Sequence, residues 1–123
     1  MPAVSATPRV LVVDDDRRLA DTLAVVLDQK GFTTSVAYSG PEAIQTALTS
    51  PPDFIVMDIV MNGIDGVDAA IAICETLPQC RILLMSGAVD AAQRLEKSSR
   101  RGHYFDLLTK PVLADCLLEK LRA

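Results

Sequence analysis

The chain has 123 residues, half of them hydrophobic and 23% charged, with a formal net charge of −4. That length suits one globular domain with a single core, and the composition excludes a disordered chain. The acidic balance argues against direct nucleic-acid binding, because a phosphate backbone needs a basic patch to meet it. Met1 to Pro8 is a short lead without the basic start and apolar middle of a secretory signal. A single domain is expected to follow over 9–123. Val10 to Val13 is a continuous apolar run that predicts a strand, and Asp14-Asp15-Asp16 follows it at once. From Arg17 to Lys30 the apolar residues Leu19, Leu23, Val26 and Leu27 recur at helical spacing, and Gly31 stops that helix. Phe32 to Ala37 is rich in β-branched residues and predicts a second strand. Ser39-Gly40-Pro41-Glu42 opens a second helix, with Ile44, Ala47 and Leu48 as its expected inner face.

Pro51-Pro52 interrupts the chain before a third strand, Phe54 to Met57, with Asp58 directly after it. A loop from Ile59 to Asp65 leads through Gly66 to a helix carrying Val67, Ala70, Ile71 and Cys74, which Pro78 ends. Ile82 to Met85 predicts a fourth strand, followed by Ser86-Gly87. Asp90 to Arg101 predicts a more polar helix. Phe105 to Leu108 predicts a fifth strand, followed by Thr109-Lys110-Pro111, and Leu113 to Leu121 closes the chain as a helix. Five strand–helix repeats with short connections imply a parallel sheet with helices on both faces. No apolar run approaches the roughly 20 residues needed to cross a bilayer, so a cytoplasmic protein with no membrane partner is expected.

Other chemistry-bearing residues carry little. Cys74, Cys80 and Cys116 lack metal-type spacing and are read as small buried thiols in a reducing compartment. His103 stands alone, which argues against a metal role. The basic stretch Arg94, Lys97, Arg100, Arg101 is read as a solvated helix face.

In an open parallel sheet, ligands bind beyond the carboxyl ends of the strands, at the topological switch point. The polar residues here fall at those ends. The first strand delivers Asp14 and Asp15, the third Asp58, the fourth Ser86 and the fifth Lys110. Two unit charges about 4 Å apart repel by roughly 4 kcal/mol at an effective dielectric near 20. Clustered carboxylates therefore call for a cation or for protonation, and hard oxygen donors select Mg²⁺. Asp16 and Asp53 are each read instead as a strand-end or cap residue.

Val12-Val13-Asp14-Asp15, the run Asp58-Ile59-Val60-Met61-Asn62-Gly63-Ile64-Asp65-Gly66, Ser86-Gly87 and Lys110-Pro111 resemble the receiver domains of bacterial response regulators, over nearly the whole chain. The resemblance implies a flavodoxin-like, doubly wound three-layer sandwich with a five-stranded sheet in the order 2-1-3-4-5. It implies that Asp58 accepts a phosphoryl group from a phosphohistidine of a sensor histidine kinase or phosphotransfer protein. Mg²⁺ or Mn²⁺ would be held by Asp15 and Asp58 directly, by Asp14 mainly through water, and by the backbone carbonyl of Val60. Ser86 would hydrogen-bond the phosphoryl group, and Lys110 would pair with Asp58 and then with a phosphoryl oxygen. The Lys110–Pro111 bond is expected to be cis. The output would pass to a downstream protein or a fused output domain, so the chain would be a self-phosphorylating switch rather than an enzyme.

Several positions depart from the pattern. Asn62 stands where relatives usually have proline. Leu107 stands where they have the aromatic residue that moves on activation, with Phe105 two residues earlier on the same strand face. That implies an output surface unlike the usual one, and it leaves a phosphorylation-independent adaptor as the alternative. Val60 and Ala88 offer no side-chain hydrogen bond to a hydrolytic water, which implies a slowly decaying phosphorylated form. An aspartate-nucleophile phosphatase would need an acid where Val60 stands. A dinucleotide site would need a glycine-rich turn after the first strand.

Overall fold

The described residues form, in chain order, β1 (Arg9–Val13), α1 (Arg17–Gln29), β2 (Thr33–Ala37), α2 (Gly40–Thr49), β3 (Phe54–Asp58), α3 (Gly66–Thr76), β4 (Arg81–Ser86), β5 (Asp106–Thr109) and α4 (Ala114–Arg122). The computed structural model describes residues 7–61, 65–87, 96, 99, 102–103, 105–110 and 112–122. The helix expected over Asp90 to Arg101, with its four basic residues, lies outside them apart from Glu96 and Ser99, as do Asn62, Ala88 and Pro111.

The strands form one parallel sheet in the order β2-β1-β3-β4-β5. Its register places Val13 beside Ala37 on one side and Met57 on the other, and Asp58 beside Met85. The alternation of side chains sends each strand into two cores, as expected for a sheet covered on both faces. Leu11, Val13, Ile55, Met57, Ile82 and Leu84 pack with α2 and α3. Val10, Val12, Val56, Leu83 and Met85 pack with α1 and α4. This is the doubly wound, flavodoxin-like three-layer arrangement.

Local chemistry sets the element ends. The Asp16 carboxylate accepts the Arg18 and Leu19 amides and caps α1. Gly31, at φ 98, takes the left-handed turn after that helix. Ser39 caps α2 through the Glu42 amide, with Pro41 in the first turn. Asp53 accepts the Arg9 amide at 2.8 Å and so ties the entry of β1 to that of β3, the structural role expected of it. β2 starts one residue later than expected, because the Phe32 amide donates to Leu27 at the end of α1 rather than to the ladder.

Two expected inner faces need correction. Leu19 is 51% exposed and Leu48 47% exposed. Alanines take the central stripes instead: Ala20 and Ala24 on α1, Ala43 and Ala47 on α2. Small side chains let each helix lie close against the sheet, and the leucines fall to the flanks. The cysteines also differ among themselves. Cys80 is buried, and burial pushes its thiol up to about 11, whereas Cys74 is half-buried and Cys116 exposed. Cys116 sits on the outer side of α4, where Leu117, Leu118 and Leu121 face the core.

Candidate functional site

Among the described residues, Asp14, Asp58 and Ser86 are the buried polar or charged side chains, and each stands at the carboxyl end of its strand. β1 and β3 are neighbours in the sheet, yet the chain crosses from one face to the other between them. The crevice at this switch point receives Asp14 from one strand and Asp58 from the next.

The site is built up from backbone contacts. The Asp14 amide donates to the Ala37 carbonyl at 3.2 Å, which anchors the end of β1 to β2. One Asp14 carboxylate oxygen accepts the Asp16 amide at 3.0 Å. The Ile59 amide donates to Met85 at 2.9 Å and fixes the chain leaving β3. Asp58 Oδ1 accepts the Val60 amide at 3.2 Å, while Asp58 Oδ2 accepts from Lys110 Nζ at 2.9 Å. The same ammonium lies 3.6 Å from Asp14 Oδ2. Lys110 arrives there because its own amide donates to the Ser86 carbonyl at 3.1 Å, which extends the β4–β5 pairing one step past the strand. Ser86 is thereby tied to the residue that supplies the ammonium.

The structure thus brings together Asp14, Asp15, Asp58 and Lys110, with Ser86 on the neighbouring strand end. Carboxylate oxygens of Asp14, Asp15 and Asp58 all lie within 4.8 Å of one another. Val60 is half exposed on the loop whose amide holds Asp58.

Three carboxylates face one ammonium, and their charges respond. Burial pushes the Asp14 carboxyl above its ordinary value, aided by the charges of Asp58 and Asp15; the Asp16 amide and Lys110 oppose the rise. Burial pulls the Lys110 ammonium down, but the hydrogen bond and charge of Asp58, with Asp14 behind them, outweigh it and leave its pKa raised. A compact set of hard oxygens with excess negative charge fits a divalent cation of the Mg²⁺ kind.

Two residues near the cluster carry no role in the sequence reading. Gly66, the first residue of α3, lies so close to β3 that an added Cβ would overlap the Asp58 carbonyl. Tyr38 follows β2 at the same edge of the sheet, and the Arg17 guanidinium lies 4.3 Å over its ring. A polar-tipped aromatic directly after a strand end was the available signal for Tyr38.

The sheet order and the acidic crevice with its lysine define a doubly wound α/β domain of the receiver class. Residues 10–122 match the family described as the response regulator receiver domain, and the chain belongs to that family. It is 35% identical over 121 residues to the transcriptional regulatory protein PrrA of Mycobacterium leprae, covering 96% of this chain and 50% of that protein. It is 30% identical over 115 residues to the response regulator MprA of Mycobacterium ulcerans, covering 94% of this chain and 49% of the relative. Among solved structures, a CheY-like receiver domain protein from Methanospirillum hungatei JF-1 shares the fold, with a TM-score of 0.87 at 21% identity, covering 95% of this chain and 92% of that one. The chain spans about half the length of the curated relatives it matches.

Proposed function

We propose that this domain receives a phosphoryl group on Asp58 from a phosphohistidine of a sensor kinase or phosphotransfer protein. The observation that carries the reading is the 2.9 Å pairing of Asp58 with Lys110 beside Asp14 and Asp15. Phosphoryl transfer needs mainly positioning and charge neutralisation. An Asp58 carboxylate oxygen forms the bond to phosphorus while the phosphorus–nitrogen bond of the donor breaks, and the imidazole leaves with the electron pair and takes a proton. Lys110 then exchanges its Asp58 oxygen for a phosphoryl oxygen, and the Ser86 hydroxyl donates to another. Asp14, Asp15, Asp58 and the Val60 carbonyl would hold Mg²⁺ or Mn²⁺. When bound, that ion supplies positive charge to the phosphoryl oxygens.

The product is an acyl phosphate with nearly two negative charges. Its new acceptor oxygens bias the β4 and β5 ends toward one of two preexisting arrangements, and a partner protein or fused output domain reads the difference. The net charge of −4 supports a protein rather than nucleic acid as the direct partner of this domain. Leu107, half-buried where relatives use an aromatic, favours a second reading as a phosphorylation-independent adaptor.

One experiment separates the two. After incubation with acetyl phosphate and Mg²⁺, a phosphate-affinity gel is expected to show a retarded band that Asp58→Asn abolishes. Val60 cannot hydrogen-bond a hydrolytic water through its side chain, so the band should persist for minutes after the donor is removed. A wild-type protein that never shifts would leave the adaptor reading standing.

A further inference from the structure

Asp14 and Asp15 sit on the turn between β1 and α1, and Tyr38 braces the helix end of that turn from outside it. The Tyr38 hydroxyl donates to Asp21 Oδ1 on α1 at 2.7 Å. The Arg17 guanidinium, two residues beyond Asp15, lies 4.3 Å over the Tyr38 ring. The Tyr38 amide donates to Glu42 Oε1 on α2 at 2.8 Å, and the preceding residue, Ala37, accepts the Asp14 amide. Tyr38 therefore ties the first turn of α1 to both β2 and α2. The turn in between has a backbone bond at Asp14 and a cap at Asp16, and Tyr38 holds its far end from the side.

We infer that Tyr38 is a positioning residue for the acidic cluster: it fixes the β1–α1 turn and so sets how tightly Asp14, Asp15 and Asp58 hold a divalent cation. It touches none of the carboxylates of that cluster in the contacts described above. Its effect runs through Arg17, Asp21 and the Ala37 carbonyl. Residues that orient metal ligands from behind commonly change affinity without contacting the ion. The inference rests on the proposed cation site, and its test separates the two.

The test is a titration of the full chain with Mn²⁺, followed by the electron paramagnetic resonance signal of the free ion, below the melting range of every variant. The wild type is expected to bind, and Asp15→Asn to lose most of the affinity. Tyr38→Leu, which removes both the ring under Arg17 and the hydroxyl, should weaken binding about tenfold, the low end of what residues behind a metal ligand contribute. Tyr38→Phe keeps the ring and loses only the bond to Asp21, so its affinity should fall between the two. The control is Phe54→Leu: Phe54 lies under Arg81 at the opposite end of the sheet, with the guanidinium 5.9 Å from its ring. That variant loses comparable packing and should keep wild-type affinity. A Tyr38→Leu protein that binds as the wild type does, or a Phe54→Leu protein that weakens equally, overturns the inference while the cation site stands. A wild type that binds no Mn²⁺ overturns both.

Discussion

Asp14 occupies an unfavourable place for a carboxylate. It is 3% exposed, close to two other carboxylates, and its nearest cation is 3.6 Å away and already committed to Asp58 at 2.9 Å. Its pKa is raised from 3.8, so between 3.8 and the folded-state value the native protein binds more protons than the unfolded chain. Its contribution to stability is therefore fully present below 3.8 and falls as pH rises through that window. Asp14→Asn keeps an oxygen for the Asp16 amide and removes the charge. In chelator at pH 7 it is expected to raise stability by about 1 kcal/mol, or roughly 3–5 °C in thermal midpoint. The advantage should shrink as pH is lowered toward 3.8, and melting curves across that range would check it. A variant less stable than wild type at pH 7 would show that the pairing with Lys110 outweighs the cost of burial and the repulsion. Lys110 has the same pH sign in a higher range: its pKa is raised from 10.5 because its charged form is favoured, so its pairing stabilises the fold below that value and is lost only as pH climbs through the folded-state pKa.

At the scale of elements, the junction of β3 and α3 leaves little room. The Gly66 amide donates to the Ile59 carbonyl at 2.8 Å, and a Cβ there would meet the Asp58 carbonyl and the Ile59 backbone. Neither neighbour is a flexible side-chain tip that can swing aside. Gly66→Ala is expected to destabilise by about 2–3 kcal/mol, seen as a lower urea midpoint with unchanged slope. A loss below about 0.5 kcal/mol would mean that α3 slides outward freely. Most elements were legible from local chemistry: Asp16, Ser39, Pro41 and Gly31 mark helix ends by mechanisms that need no tertiary partner. The inner faces were less so. A helix with apolar residues on adjacent stripes does not announce which stripe lies on the sheet, and periodicity overweighted Leu19 and Leu48 against the alanines beside them.

For the whole molecule, the site was legible because a parallel sheet puts every strand's carboxyl end on one side, so Asp14, Asp58, Ser86 and Lys110 had to share an edge. Which oxygen Lys110 reaches, and that Tyr38 braces the turn, depend on side-chain reach across strands that pattern does not encode. The same convergence has a thermodynamic consequence. The acids lie within 4.8 Å of one another only when β1 and β3 are paired, so a divalent cation binds the native state and finds no equivalent site in the unfolded chain. At a free concentration about a hundredfold above its dissociation constant, such an ion stabilises the fold by roughly 2.7 kcal/mol. Mg²⁺ should therefore raise the thermal midpoint by several degrees, with a dependence that Asp15→Asn flattens. General screening also eases repulsion among acids, but it acts through ionic strength alone. NaCl at matched ionic strength should reproduce only a small part of the rise. A full rise with NaCl would reduce the cluster to a patch of unfavourable charge, and the cation site would be lost with it.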